Sequence, residues 1–301
     1  MYTSTISKYI NKIEECSKFL MAENGITIPK IFYRGVNFPV ELEDNVPKLF
    51  RQKYEFCFRN ENKIVKDVIN NRPNYFKGCK STIECLEIMQ HNGLPTRLLD
   101  ITRNYLVALY FACLPRKVID ENGMETHQEE DGRIFVYGLD VKDVLFEDSD
   151  LVSTLANISL MPADFKAFTN ERIDGDRKFS KEYIDLLNKI KAEHPWVDSV
   201  NKKWLDGYVV CVVPRKDNHR IVAQDGAFFL FGISGGIKNE PVRFSEKSNK
   251  HVWVQTVDID KNDKERILED LDMMGINEET LFPELEHYKA KIEREYGVKR
   301  C

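Results

Sequence analysis

The chain reads as an α+β protein, a small mixed or antiparallel sheet surrounded by helices in a single compact domain. Three observations lead there. β-prone runs are interspersed with amphipathic helical periods, yet the regular strand–helix repetition of a doubly wound sheet is missing. No apolar run approaches the ~18 residues that mark a membrane span. Nothing between residues 28 and 290 has the composition of a linker, so the 301 residues are expected to fold as one unit. Residues 1–27 are read as an N-terminal helix packed on a core of residues 28–297.

The elements follow in order. Ile6 to Ala22 carries apolar or aromatic residues at Ile6, Tyr9, Ile10, Ile13, Phe19 and Leu20, close to a helical period. Ile28 to Arg34 is β-prone and ends at Gly35, which places Arg34 near the end of a strand. Arg51 to Asn71 predicts a second helix, stopped by Pro73. Thr82 to Gln90 predicts a third, with Ser81 as its N-cap and Gly93 near its end. The run from Gln90 to Asp100 is then a loop between two helices, built round a Gly-x-Pro turn. Thr102 caps the next helix, which reaches Leu114 and buries Tyr105, Leu106, Leu109, Tyr110 and Cys113.

Residues 119–131 are polar and acidic and predict a loop. Arg133 to Tyr137 predicts a strand, and residues 150–193 hold two or three short helices. Strands return at Tyr208 to Val213, Ala227 to Phe231 and Val252 to Val257. Two charged helices, residues 261–274 and 278–296, complete the pattern, without internal repeats or low-complexity segments.

Composition limits the function classes. A formal net charge of −5 argues against affinity drawn from a strongly basic overall field, although a local basic groove remains open. Seven cysteines without Cys-x-x-Cys spacing, and an N-terminus lacking the order of a signal peptide, predict a cytoplasmic protein without a membrane partner. The six histidines show no metal-ligand spacing, so no metal is expected.

Chemistry-bearing side chains concentrate in Gln90-His91-Asn92-Gly93-Leu94-Pro95-Thr96-Arg97-Leu98-Leu99-Asp100. His91, near a helix C-terminus, serves either the dipole or acid–base chemistry. Thr96 offers a hydroxyl to a ligand, and Arg97 and Asp100 either pair with each other or face that ligand. Upstream, Arg34 follows an aromatic and precedes Gly35, a pattern suited to an anion that approaches the backbone. Downstream, Gln224 precedes an aromatic strand and suits a base or carboxamide, or else forms a turn with Asp225-Gly226. Arg220 adds a second cation, while Tyr33 and Phe228 either stack on a base or fill the core. Glu279 enters the last helix, where the dipole alone accounts for it and a catalytic role is the alternative.

Together, Phe32-Tyr33-Arg34-Gly35 and the Gln90–Asp100 string resemble the FRG domain family, named for its aromatic-Arg-Gly motif. Arg220 to Phe228 and Gly275 to Pro283 extend the resemblance over roughly residues 28–290. The family's bacterial and mobile-element setting implies a toxin or anti-phage defence effector. The aromatic-Arg-Gly motif is also similar to the first-strand arginine motif of arginine-serine-glutamate ADP-ribosyltransferases. That likeness implies NAD as substrate, with Arg34 on its phosphate and ADP-ribose passed to water, a macromolecular acceptor or a phage-derived partner. The chain departs from that pattern: it has no clear Ser-Thr-Ser strand, and no Glu-x-Glu or Gln-x-Glu precedes a strand in the right place, where Gln224-Asp225-Gly226 lacks the glutamate. His91 or Asp100 would have to supply the missing function. Two alternatives stay open: a non-catalytic nucleotide or nucleic-acid binding module, and a protein-interaction domain in which the Gln90–Asp100 string is structural.

Overall fold

The computed structural model describes residues 5–22, 27–119, 125–173, 176–238, 240–244 and 251–284. Helix α1 (Thr5–Met21) leads to strand β1 (Pro29–Val36). Three short helices follow, α2 (Glu55–Arg59), α3 (Glu61–Asn71) and α4 (Pro73–Phe76), and then α5 (Thr82–His91). The next elements are β2 (Leu98–Thr102), α6 (Tyr105–Cys113), a hairpin of β3 (Arg116–Ile119) and β4 (Glu125–Gln128), β5 (Gly132–Asp140) and β6 (Val144–Phe146). Helices α7 (Asp150–Asn157) and α8 (Lys181–Glu193) flank a hairpin of β7 (Phe168–Ile173) and β8 (Asp176–Phe179). Strand β9 (Val209–Val213), α9 (His219–Ala223), β10 (Gly226–Phe231), β11 (Val252–Ile259), α10 (Lys264–Met273) and α11 (Glu278–Leu281) end the described chain.

Seven strands form one sheet in the order β11-β5-β1-β2-β10-β9-β6, antiparallel throughout except for the β6–β9 pair. This is the α+β architecture that the dispersed strands predict. Side-chain alternation gives the sheet two apolar faces. Phe32, Leu99, Phe135, Tyr137, Phe229 and Phe231 fill one face, under the segment that carries Val46, Leu49, Phe50 and Phe58. On the other face, Tyr33, Ile134 and Val136 pack beneath α1, α6 and α10. The same face continues through Leu98, Phe228 and Leu230 beneath α5, α7 and α8. The N-terminal helix therefore sits on the sheet, and Ser17 hydrogen-bonds the Tyr33 hydroxyl at 3.0 Å.

Several expectations change. The run ending at Asp100 is not a plain loop between helices: Leu98–Thr102 is an inner strand between β1 and β10. Both its faces are covered, so it reads as a continuous apolar run rather than an alternating one. Asn104, not Thr102, caps α6, accepting from the Leu106 amide at 2.9 Å. Residues 51–71 break at Asn60 into two helices. Ser81 occupies the N-cap of α5 without a side-chain capping bond. The range 119–131, expected as a loop, holds the end of β3 and the whole of β4, which pair as a hairpin, and residues 120–124 lie outside the described residues. The 150–193 region holds a hairpin as well as helices. The last helix among the described residues ends at Leu281, before Phe282-Pro283, and residues 285–296 of the expected helix lie outside the described residues.

Candidate functional site

β1 and β2 pair through a single register, Tyr33 opposite Thr102. Continued antiparallel pairing would set Gly35 opposite Asp100, but the Arg34 side chain takes that place: its Nη1 donates to the Asp100 carbonyl at 2.7 Å. Nε of Arg34 donates to Asn45 Oδ1 at 2.9 Å, and Asn45, itself buried, donates to the Tyr137 hydroxyl at 2.6 Å. Burial lowers the Arg34 guanidinium from its ordinary range, while Asp100 and Tyr137 pull it the other way. Both ends of this cation are fixed before any ligand arrives, and Nη2 has no hydrogen bond among the described residues.

A two-lobed cleft opens beside this junction. The first lobe, a cavity of about 210 Å³, is bounded by Tyr33, Arg34, Gly35, Thr102, Val107 and Phe111. The second is bounded by Glu87, Gln90, His91, Ile221, Ala227 and Phe228. Asp100, Ile101, Arg220 and Gln224 line both.

Asp100 projects from β2, the exposed position in an otherwise buried strand. Its Oδ2 accepts from Gln90 Nε2 at 3.0 Å, and Gln90 Oε1 in turn accepts from the Thr96 hydroxyl at 2.6 Å. Thr96 is buried and lies outside the cleft lining, so it orients Gln90 instead of meeting a ligand. The relay runs Thr96 to Gln90 to Asp100 and leaves Oδ1 of the carboxylate to the cleft.

Arg97 also departs from expectation. It is 0% exposed and forms a two-pronged pair with Glu61, Nε–Oε1 at 2.8 Å and Nη2–Oε2 at 2.5 Å. It does not pair with Asp100 and does not reach the cleft. Lys238 joins the same carboxylate at 2.8 Å. Burial pushes the Glu61 carboxyl up, but Arg97 and Lys238 overcome it and hold it near about 2. Glu279 lies on the exposed side of α11, outside the cleft lining. Gly35 lines the cleft, yet its missing side chain serves packing: a Cβ there would strike the Ala108 carbonyl of α6 and come within 2.7 Å of the Ala112 nitrogen. Phe32 and Phe229 are core residues, whereas Phe228 and Tyr33 are largely buried and show an edge to the cleft.

The α9–β10 turn supplies the opposite wall. Asp225 adopts a left-handed conformation with φ 43°, and its carboxylate pairs with Arg103 at 2.5 Å and Lys216 at 3.2 Å. The Thr102 hydroxyl donates to the Gln224 carbonyl at 2.6 Å. The end of α11 and the residues after it then meet the cleft rim at three points, two on this wall and one on α5. Gln224 Nε2 donates to the Leu281 carbonyl at 3.0 Å, Arg220 stands 4.6 Å over the Phe282 ring, and His91 Nε2 lies 3.1 Å from Glu284.

Among the lining residues with titratable or amide side chains, two escaped sequence reasoning. Gln90 was legible only as a motif letter. Glu87 stands one helical turn before Gln90 and His91 on α5, a spacing that places the three on one face. Burial, then Glu147, Asp217 and Glu84, push the Glu87 carboxyl up to about 9 against the pull of Arg215. Among the described residues no group of His, Cys, Asp and Glu has the geometry of a metal site, and no helix is long and apolar enough to cross a membrane.

Neither a curated protein nor a solved structure matches this chain. Residues 29–121 match the family model of the FRG domain. That span runs from β1 through β3 and contributes Arg34, Glu87, Gln90, His91 and Asp100 to the cleft, while Arg220 and Gln224 come from outside it. The junction of an arginine on β1 with an aspartate on β2 is thus built by the matched segment, and residues 29–121 are an FRG domain.

Proposed function

We propose that the cleft binds a dinucleotide of the NAD class and cleaves its nicotinamide–ribosyl bond, passing ADP-ribose to water or to a macromolecular acceptor. The observation that carries this reading is the Arg34–Asp100 junction: a guanidinium and a carboxylate on neighbouring strands, each fixed by side chains of its own. Arg34 and Arg220 supply cations for the pyrophosphate, and guanidinium suits phosphate through directed hydrogen bonds. Asp100 supplies negative charge in a partly enclosed site, where fixed charge acts strongly on developing positive charge. As the C1′–N bond breaks, its electron pair leaves with nicotinamide, which becomes neutral, and positive charge grows on the ribose beside Asp100. The oxygen of water or of the acceptor then bonds C1′ and releases its proton to solvent.

In this reading Asp100 takes the part that a transferase glutamate would play, and Gln90 keeps its carboxylate in position. His91, paired with Glu284, lines the same lobe and contacts the ligand without serving as the reacting carboxylate. An effector in toxin or defence chemistry is the setting that such an activity fits. The test is NAD titration by calorimetry together with nicotinamide release. Saturable binding with release abolished by Arg34→Ala is the expected result. Nucleotide binding without release, from a protein whose melting temperature is normal, would favour the non-catalytic module.

A further inference from the structure

Arg34 and Arg220 are the two cations assigned to the pyrophosphate, and the protein holds them in different ways. Arg34 uses Nε and Nη1 on Asn45 and the Asp100 carbonyl. The Arg220 side chain is partly buried and lines both lobes, yet it makes no hydrogen bond and no ion pair among the described residues. Taking a charge out of water without a partner is costly, so such a guanidinium points to an anionic ligand. What holds it is a ring. Phe282 lies against its face, with 4.6 Å from the guanidinium carbon to the ring centroid. A guanidinium stacked on an aromatic keeps the N–H groups of its edge available to donate.

The ring is itself fixed. Phe111 of α6 meets it edge-on, with centroids 6.0 Å apart and planes at 86°. The Phe282 amide donates to the Glu278 carbonyl at 2.9 Å, and the Leu281 carbonyl before it accepts from Gln224 Nε2 at 3.0 Å. Pro283, next in the chain, restricts the backbone of Phe282. At the other end, Asn218 caps α9 and accepts from the Arg220 amide at 2.8 Å. The Arg220 side chain is thus set at its root by a cap and at its tip by an aromatic.

We propose that Phe282 is a positioning residue of the cleft: it holds the Arg220 guanidinium by one face and directs its N–H edge to the diphosphate of the ligand. The inference rests on the reading of the cleft as a site for NAD and adds the element that fixes its second cation. Phe282 is not among the lining residues of either lobe, and its effect passes through Arg220. An arginine loses rotamer freedom when it grips a ligand, and stacking removes that loss in advance. Hydrogen bonds would do the same for Arg220 only by occupying the donors that the phosphates need.

The experiment is calorimetric titration of the full chain with ADP-ribose and, separately, with inorganic pyrophosphate. The proteins are wild type, Phe282→Leu, Phe282→Tyr, Arg220→Ala and the double variant Phe282→Leu with Arg220→Ala. Phe282→Leu keeps an apolar side chain and removes the ring, whereas Phe282→Tyr keeps the ring. Phe282→Leu should bind both probes about fivefold more weakly, Phe282→Tyr within about twofold of wild type, and Arg220→Ala at least about tenfold more weakly. In the Arg220→Ala background, Phe282→Leu should change affinity by less than about twofold, because the ring then has no guanidinium to hold. The proposal is overturned if Phe282→Leu does equal harm without Arg220, if Phe282→Tyr fails as Phe282→Leu does, or if Phe282→Leu binds as wild type does. Tighter binding by Phe282→Leu would also overturn it, and would make this segment a cover over the site. ADP-ribose binding that needs Arg34 and Arg220 but is indifferent to Phe282 would remove this inference and leave the NAD reading standing. Pyrophosphate binding that depends on Phe282 and Arg220, without any ADP-ribose binding, would support the inference and remove the dinucleotide reading. Binding of neither probe would overturn both.

Discussion

Arg97 and Asp100 lie three positions apart at the start of one strand, and the protein treats them in opposite ways. Arg97 is sealed in the core with both prongs on Glu61. Asp100 stands exposed in the cleft, with one oxygen held by Gln90 and the other left to a ligand. The difference shows what a charged motif residue is for. A buried ion pair with every donor matched holds elements together, whereas a positioned charge with an unmatched atom at a cavity wall is available for chemistry. Through Arg97, β2 is tied to α3 by Glu61, whose carboxylate Lys238 also holds, and to the Phe231 carbonyl. That scaffold sets the strand from which Asp100 projects.

The largest effect that separates the two is stability. Arg97→Ala leaves the Glu61 carboxylate with Lys238 alone and should cost about 3–5 kcal/mol in denaturant unfolding. Asp100→Asn should stay within about 1 kcal/mol of wild type, as substitutions at exposed positions do. Equal losses from both would erase the distinction.

Acid sharpens the same contrast. The Glu61 carboxyl is held near about 2 in the folded protein, below its ordinary value, so the folded state binds fewer protons than the unfolded chain as the pH falls. The stabilisation it carries is complete above about pH 4.5 and drains away toward about pH 2, on the order of 3 kcal/mol in all. Unfolding followed across that range should show the slope in wild type and Asp100→Asn and a much shallower one in Arg97→Ala.

Gly35→Ala tests the frame around the cleft. The added methyl meets the Ala108 carbonyl and must push α6 from β1, at a cost of about 1–3 kcal/mol. A neutral result would mean that α6 yields freely. The smallest effect belongs to the far end of the chain. Asn277 caps α11 with its side chain on the Thr280 amide at 2.9 Å, so Asn277→Ala should cost about 1 kcal/mol. Because α11 leads to the Phe282 contact over Arg220, fluorescence or exchange at the cleft rim would report whether that loss loosens the wall.

Much of the frame was legible in the sequence. Arg34 at the end of a β-prone run, the amphipathic first helix and the aromatic strand after Gln224 all follow from local pattern. Strand β2 was hidden because Leu-Leu-Asp-Ile-Thr is covered on both faces and carries no alternation that separates it from a loop leading into a helix. The site was legible as a set of residues more than as an arrangement. Arg34, His91, Asp100, Arg220 and Gln224 line the cleft, but for Arg97 the sequence offers only Asp100 or a ligand, whereas its partner, Glu61, lies 36 positions away. Pairing over such a distance leaves no local trace. Glu87 was missed for the same reason, since its environment is made by Glu147 and Asp217 from distant segments.

Asp100 is the positioned carboxylate of the proposed NAD-cleaving site. Nicotinamide release from NAD should therefore be measured for wild type and Asp100→Asn at matched melting temperature and matched NAD affinity. A fall in turnover of about 100-fold or more, with binding within about threefold, is the predicted result, since a fixed charge acts on the transition state more than on the ground state. Turnover unchanged in Asp100→Asn, or no release from wild type at saturating NAD, would contradict it.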